Sequence, residues 1–159
     1  MAFSTSIKRW FSRLYNALRL FGNIRHKRNI ERADRVMRKI QEIHASSKDP
    51  QSCYARAFGY LRRIDPLVFE ELILSCFERD GALIARNRRY SGDGGCDGQL
   101  RTQYGFGVLQ CKRYKSAIDP EDVKYFKRVV CWHGATFGIF AHTGRTGPKS
   151  YEQIRADRH

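Results

Sequence analysis

The sequence lacks any apolar run long enough to cross a bilayer, for which a helix needs about 20 mostly apolar residues. The N-terminal segment also has no uninterrupted apolar stretch before a small-residue cleavage site, as a secretory signal would have. No internal repeat or low-complexity tract is visible. These absences exclude several membrane, secreted and repeat classes, and we predict a cytoplasmic protein.

The sequence has no C-x-x-C pair either, although it contains five cysteines. They are Cys53, Cys76, Cys96, Cys111 and Cys131. An odd number of widely spaced thiols argues against a disulfide framework and gives little support to a zinc ribbon. We predict that these cysteines are mostly small, buried, apolar side chains in a reducing compartment.

Acidic residues are scarce, since 16 Asp and Glu face 30 Lys and Arg among 159 residues, a net charge of +14. Such a surplus repels itself and is typical of proteins with a polyanionic partner: nucleic acid, an anionic membrane face or an acidic protein. Composition alone leaves all three open. The hydrophobic fraction of 42% nevertheless excludes wholesale disorder, and the length suits one domain with an ordinary core.

Charge is concentrated in residues 1–49, where twelve Lys/Arg and four Asp/Glu give a net charge of +8. Apolar residues recur there at three- and four-residue steps in two stretches, from Phe3 to Phe21 and from Ile30 to about His44. We predict a basic amphipathic helical extension, folded as a hairpin. Three roles stay open for it: packing on the main domain, docking on a membrane through Trp10 and Phe11, or contact with a DNA backbone.

Residues 50–159 show a different pattern, in which helices alternate with strands. Asp65-Pro66 and Asp119-Pro120 each combine an N-cap residue with a proline at the first helical position. We therefore predict helices from Pro66 to about Asp80 and from Pro120 to about Trp132. Strands are expected at 82–85, around Asp97, at 106–112 and at 136–141, with a short helix after Pro148. The order predicts an α/β domain with a mixed sheet flanked by helices.

Four polar residues fall where these elements could bring them together. Glu70 lies on the first helix of this domain, Asp97 follows a glycine-rich turn, and Gln110 and Lys112 lie on the next strand. Strand side chains alternate, so Gln110 and Lys112 share a face; an antiparallel partner would bring Asp97 to them. A site with only a few hard oxygen donors suits Mg²⁺, and Mn²⁺ is left open. A neighbouring lysine can hold a water molecule and offset negative charge on a phosphate.

Three sequence blocks carry a resemblance, in the order IDPLVFEEL at 64–72, SGDGGCDG at 91–98 and QCKRY at 110–114. Together they resemble the F-E-x-L helix, G-D-G-G-x-D turn and Q-x-K-R-Y strand of the Mrr-like branch of PD-(D/E)xK nucleases. The similarity covers roughly residues 60–147 and includes a later strand at 138–140. It implies a restriction-endonuclease-like fold and metal-dependent hydrolysis of DNA phosphodiesters.

The resemblance also implies roles for the four residues. Asp97 would be the principal Mg²⁺ ligand, and Glu70 would bind the metal directly or through water. Gln110 stands where most members of the superfamily carry Glu or Asp, and Lys112 would be the catalytic lysine. Because Gln110 is neutral, metal affinity should depend more strongly on the two carboxylates.

Residues around these positions have simpler expected roles. Glu71 follows Glu70 directly, and adjacent helix positions face about 100° apart, so only one of the two should point inward. Cys96 and Cys111 alternate with the candidate catalytic residues and should point toward the core. Four further residues are expected to contact the DNA: Arg89, Arg113, Tyr114 and Lys115.

The sequence thus favours a Mg²⁺-dependent endodeoxyribonuclease with DNA as its partner and no small-molecule substrate. A DNA-binding module of the same fold that does not cut is the second hypothesis. A membrane-associated, nuclease-like protein anchored through residues 1–22 is the third. Restriction, repair and mobile-element roles remain open, as does a homodimer in which a partner subunit completes the sheet.

Overall fold

The computed structural model describes residues 24–46, 48–87 and 94–155. The helix expected in residues 1–22, Arg89 and residues 91–93 of the glycine-rich turn lie outside the described residues. In chain order the elements are α1 (Ile24–Ser46), α2 (Pro50–Leu61), α3 (Pro66–Arg79), β1 (Leu83–Arg86), β2 (Gly98–Thr102), β3 (Gly105–Lys112), α4 (Pro120–Trp132), β4 (Phe137–His142) and α5 (Pro148–Arg155). The predicted α/β class is confirmed.

Three helices begin at an Asp-Pro pair. The side chains of Asp49, Asp65 and Asp119 each accept at least one hydrogen bond from a backbone N–H group in the first turn of α2, α3 and α4, respectively. These bonds satisfy donors that have no partner within the helix, and proline loses nothing at that position. The helices predicted at Asp65 and Asp119 are confirmed. Helix α2 was missed, although Asp49-Pro50 carries the same signal.

Helix α1 begins at Ile24, earlier than the apolar spacing indicated. Its first turns continue the buried face with polar residues, because His26 and Asn29 are both buried. The spacing of apolar residues does not include such polar positions, so it predicted too late a start for the helix.

The four strands form one sheet in the order β1-β2-β3-β4. Strands β1 and β2, and β2 and β3, pair antiparallel, whereas β3 and β4 pair parallel. The mixed sheet is as predicted. Strand β2 pairs antiparallel with β3, with Gly98 opposite Leu109, which is the condition under which Asp97 was expected to approach Gln110 and Lys112. Asp97 lies immediately before β2 rather than within it. Strand β3 is central, and its residues 107–110 are buried.

Each face of the sheet is covered by a helix. Leu74 of α3 packs against Leu100 and Leu109 on one face, and Phe126 of α4 packs against Val108 on the other. Gly98 allows α3 to approach closely, since a Cβ atom there would lie 2.5 Å from Leu74 Cδ2. Helix α3 is therefore held against the sheet directly beside Asp97.

Helix α1 lies over α3 and completes that side of the domain. Ala33 and Val36 are 0% and 5% exposed and pack with Val68, Phe69 and Leu72 of α3. Packing, one of the three roles left open for the basic extension, is thus observed for α1, with its charged face outward. Helix α5 contacts α4 on the opposite face of the sheet.

The five cysteines are all free. Cys53 and Cys96 are buried and Cys111 is half-buried, but the prediction of burial is wrong for Cys76 and Cys131, which are exposed. Neither belongs to the buried face of its helix. Within the described ranges, no helix is both long and apolar enough to cross a membrane.

Two leucines test how strongly the α3–sheet contact stabilises the fold. Leu74 is 2% exposed, whereas Leu83 on β1 is 73% exposed. We expect Leu74→Ala to lower the free energy of unfolding by about 2–5 kcal/mol, because it removes buried methyl groups and leaves a cavity. Leu83→Ala is the matched control and should change it by less than about 0.5 kcal/mol. Equal losses in urea denaturation would contradict the assigned packing.

Candidate active site

Asp97 is attached to β3 by two hydrogen bonds. Its Oδ2 accepts from the backbone N–H of Cys111 at 2.6 Å, and its own N–H donates to the carbonyl oxygen of Leu109 at 2.8 Å. Cys111 is the residue between Gln110 and Lys112 on the same strand. The structure therefore brings the acid alongside the strand that carries the candidate amide and ammonium groups.

Gln110 contributes a buried oxygen that lacks a hydrogen-bond partner. The residue is 7% exposed, and its Oε1 has no partner among the described residues. A buried carbonyl oxygen without a partner is costly, and native structures rarely leave one without a reason. Coordination of a cation would provide the missing interaction.

Lys112 is held from α4. Its Nζ donates to Asp122 Oδ1 at 2.9 Å, and the Tyr114 hydroxyl donates to the other oxygen of the same carboxylate. Burial alone would raise the pKa of Asp122, but the hydrogen bonds from Tyr114 and Lys112 and the lysine charge hold it below its ordinary value. Burial and the bond to Asp122 raise the pKa of Tyr114, which therefore remains a neutral donor.

Asp122 was not recognised in the sequence. Acidic residues are common in the first turn of a helix, where they interact favourably with its dipole, so nothing distinguished this one. Tyr114 was expected to contact DNA, whereas here its hydroxyl is bonded to Asp122.

The two neighbouring glutamates of α3 occupy different environments. Glu71 is 1% exposed: its Oε1 lies 2.6 Å from His26 Nδ1, and its Oε2 accepts from Arg86 Nε at 2.9 Å. Burial alone would lower the pKa of Arg86, but the hydrogen bonds that it donates to Glu78 and Glu71 raise it, so the guanidinium stays charged. Glu71 is thus the inward residue and belongs to a buried ion pair, whereas Glu70, the candidate ligand, is only half-buried.

Cys111 shows where these acids lie relative to β3. Burial raises the pKa of its thiol well above the usual value, and the negative charges of Asp97, Glu70 and Glu71 raise it further. The side chain packs on the face of the sheet covered by α3, as expected for a core residue. The acids therefore approach β3 from the α3 side, and Lys112 extends to the α4 side. Cys96 is 1% exposed in the other core, also as expected.

The available donors fit a hard cation that keeps most of its water. In the described part of the chain, no group of three or more His, Cys, Asp or Glu side chains could hold a metal ion. The site would instead depend on the carboxylates of Asp97 and Glu70 and the unpartnered oxygen of Gln110. Mg²⁺ commonly uses only one or two protein carboxylates and completes its shell with water and phosphate oxygens.

The remaining candidate DNA contacts differ in their surroundings. Arg113 is half-buried, and its guanidinium donates to the carbonyl oxygen of Arg62 in the turn before α3. Lys115 is exposed, and Arg89 lies outside the described residues. Of these three, Lys115 is the one whose side chain the structure shows open to solvent.

One comparison with known proteins found a match, to a family model. A family model for the Mrr catalytic domain, described as a restriction endonuclease, matches residues 61–159. The matched segment contains α3, the whole sheet, α4 and α5, and with them all four candidate catalytic residues. No curated protein and no solved structure matches the chain.

Glu71 and Glu78 provide a matched pair, because both bind Arg86 from α3. Their side chains are 1% and 46% exposed. We expect Glu71→Ala to reduce the free energy of unfolding by about 3–5 kcal/mol, since it removes the buried carboxylate that pairs with both Arg86 and His26. Glu78→Ala should cost at most about 1 kcal/mol. Chemical denaturation measures both, and similar losses would show that the buried pair is not a major contributor.

The low pKa of Asp122 predicts a pH dependence of stability. A carboxyl group whose pKa is lower in the folded state stabilises the fold above its unfolded pKa of about 3.9, and that contribution disappears as pH falls through the folded value. Wild-type stability should therefore fall more steeply below about pH 4 than that of Asp122→Asn. Asp80→Asn, at an exposed position, is the control and should follow the wild type. Parallel curves for all three proteins in denaturation experiments would contradict the assignment.

Proposed function

The chain belongs to the restriction endonuclease family, and from its site we propose that it is a metal-dependent endonuclease hydrolysing DNA phosphodiester bonds. The observation that supports the proposal is the hydrogen bond from the backbone N–H of Cys111 to Asp97, which holds a carboxylate at the residue that lies between Gln110 and Lys112 in the sequence. Carboxylate, amide oxygen and ammonium at one strand end supply both metal donors and a positive charge for a phosphate. Such a set can support metal-assisted phosphodiester hydrolysis.

Asp97, Gln110 and Glu70 are the residues that would hold Mg²⁺ or Mn²⁺. When bound, the metal would lower the pKa of a water molecule and polarise a phosphate oxygen. Gln110 carries no charge, so the affinity for the cation comes mainly from Asp97 and Glu70. Its Oε1 adds a ligand already removed from water, which lowers the cost of desolvating the site.

Lys112 would stabilise negative charge that develops on the phosphate. An ammonium group has three N–H donors, and the bond to Asp122 uses one. The other two can reach a water molecule or a phosphate oxygen. Asp122 and Tyr114 are positioning residues in this proposal, because they act on Lys112 and not on the DNA.

DNA is the proposed substrate, and the charge of the chain supports it. The net charge of +14 attracts a polyanion, and the exposed Lys115 follows the catalytic strand closely. Arg89 remains a proposed contact. Arg113 supports the site by holding the Arg62 turn. A cytoplasmic location fits the free thiols, which persist in reducing compartments.

Plasmid nicking with Mg²⁺ or Mn²⁺ tests the proposed chemistry. We expect Asp97→Asn and Lys112→Ala each to reduce the nicking rate by at least about 10²-fold, because each removes a group that stabilises the transition state. The controls are Asp80→Asn and Lys124→Ala, which make the same kind of change at exposed positions. They should retain the wild-type rate.

Two outcomes would contradict the proposal. Wild-type protein that binds plasmid but never nicks it, with either metal, would instead support a DNA-binding module of the same fold. Equal nicking by wild type and the two site variants would show that the activity resides elsewhere or in a contaminant. Thermal melts of all five proteins identify any variant whose loss reflects unfolding.

A further inference from the structure

Helix α1 carries a row of four cations on its outer surface, which we call the α1 basic row. Its members are Arg28, Arg32, Arg35 and Lys39, and all four are exposed. Steps of four, three and four residues keep successive side chains on one side of a helix. At 1.5 Å per residue the row is about 16 Å long. That length corresponds to about five base pairs along the DNA helix axis.

The helix that carries the row is fixed to the catalytic fold. Ala33 and Val36 on the neighbouring face of the helix are buried against α3. His26 lies 2.6 Å from the buried Glu71 carboxylate, one residue from the candidate ligand Glu70. The row therefore has a defined position relative to the helix that contributes to the site.

A chain of contacts connects the row to the catalytic strand. Arg32 Nη1 lies 3.7 Å from Asp65 Oδ2 at the start of α3. Just before that residue, Arg62 Nε donates to the Thr143 carbonyl oxygen at 2.9 Å and its own carbonyl oxygen accepts from Arg113. Thr143 follows β4 and Arg113 follows Lys112. The row and the end of β3 thus border the same turn.

The charge of the row is only partly neutralised within the protein. Arg28 and Arg35 have no ion-pair partner in the described ranges. Arg32 makes the long contact with Asp65, and Lys39 pairs with Glu42 at 2.9 Å where both side chains are exposed. Exposed pairs of this kind are weak and readily exchanged. The row can therefore engage an external polyanion.

We propose that the α1 basic row binds the phosphate backbone of the DNA that the site cleaves, an inference that rests on the proposed function. Residues 26–46 expose no large hydrophobic side chain, whereas a helix that docks on a membrane surface needs an apolar face to insert. Charge without apolar surface is the pattern of a phosphate contact. The row precedes residue 61 and so lies outside the segment matched by the family model.

Salt-dependent binding of a short DNA duplex, measured by fluorescence anisotropy in EDTA to prevent cleavage, tests the inference. The row variant combines Arg28→Gln, Arg32→Gln, Arg35→Gln and Lys39→Gln. The control removes four exposed cations on the α4–α5 side: Lys124→Gln, Arg128→Gln, Lys149→Gln and Arg155→Gln. Each phosphate contact contributes about 0.9 to the slope of log K against log salt. We expect the row variant to lose about 2–4 from the slope and at least about tenfold in affinity, and the control to lose less than about 1.

The outcomes separate this inference from the proposed function. Equal losses in the two variants would show a nonspecific effect of net charge, and no loss in either would show that the row does not touch DNA; both overturn the inference. The row variant could instead keep the salt dependence of DNA binding and lose binding to vesicles of anionic lipid. That result would show that the row contacts a membrane, and it would also overturn the inference. If wild-type protein neither binds the duplex nor nicks plasmid, the proposed function itself fails.

Discussion

The buried carboxylate of Glu71 imposes a constraint that organises one whole side of the molecule. A charged group that is 1% exposed must be paired, because removing it from water without partners costs several kcal/mol or more. Its partners come from α1 and β1, so His26 and Arg86 both have to reach α3. This requirement fixes the rotation of α3 about its axis. With Glu71 turned inward, Glu70 is directed to a half-buried position, where its charge acts on Cys111.

The end of β3 is where the two sides of the sheet meet. Because successive side chains of a strand point to opposite faces, the Cys111 side chain points toward α3 and those of its two neighbours point toward α4. Asp97 overcomes this separation because it bonds to the backbone of Cys111 and not to a side chain. The proposed site therefore spans both sides of the strand, with acids approaching from the α3 side and Lys112 held by Asp122 on the α4 side.

Much of this could be predicted where the signal is local. The Asp-Pro pairs at Asp65 and Asp119 predicted helix starts because the cap and the proline act within one turn. Alternation placed Gln110 and Lys112 together for the same reason. The contacts of Asp122 and His26 could not be predicted, since each depends on a partner at least ten residues away, brought near by packing. Helix α2 could have been predicted from the same local signal, but its Asp49-Pro50 start was interpreted only as the end of the preceding helix.

The positions of two of the few acidic residues affect how the protein can bind DNA. Asp97 and Glu70 both lie near Cys111 at the proposed site, and their negative charges repel an approaching phosphate backbone. Lys112 opposes this repulsion only in part, because Asp122 shares its charge. With no metal bound, attraction strong enough to hold DNA must then come from cations around the site. The outward face of α1 offers such cations in a row, attached through Glu71 to the helix that bears Glu70. The buried ion pair thus couples the geometry of the acids to the position of the charge that compensates for them.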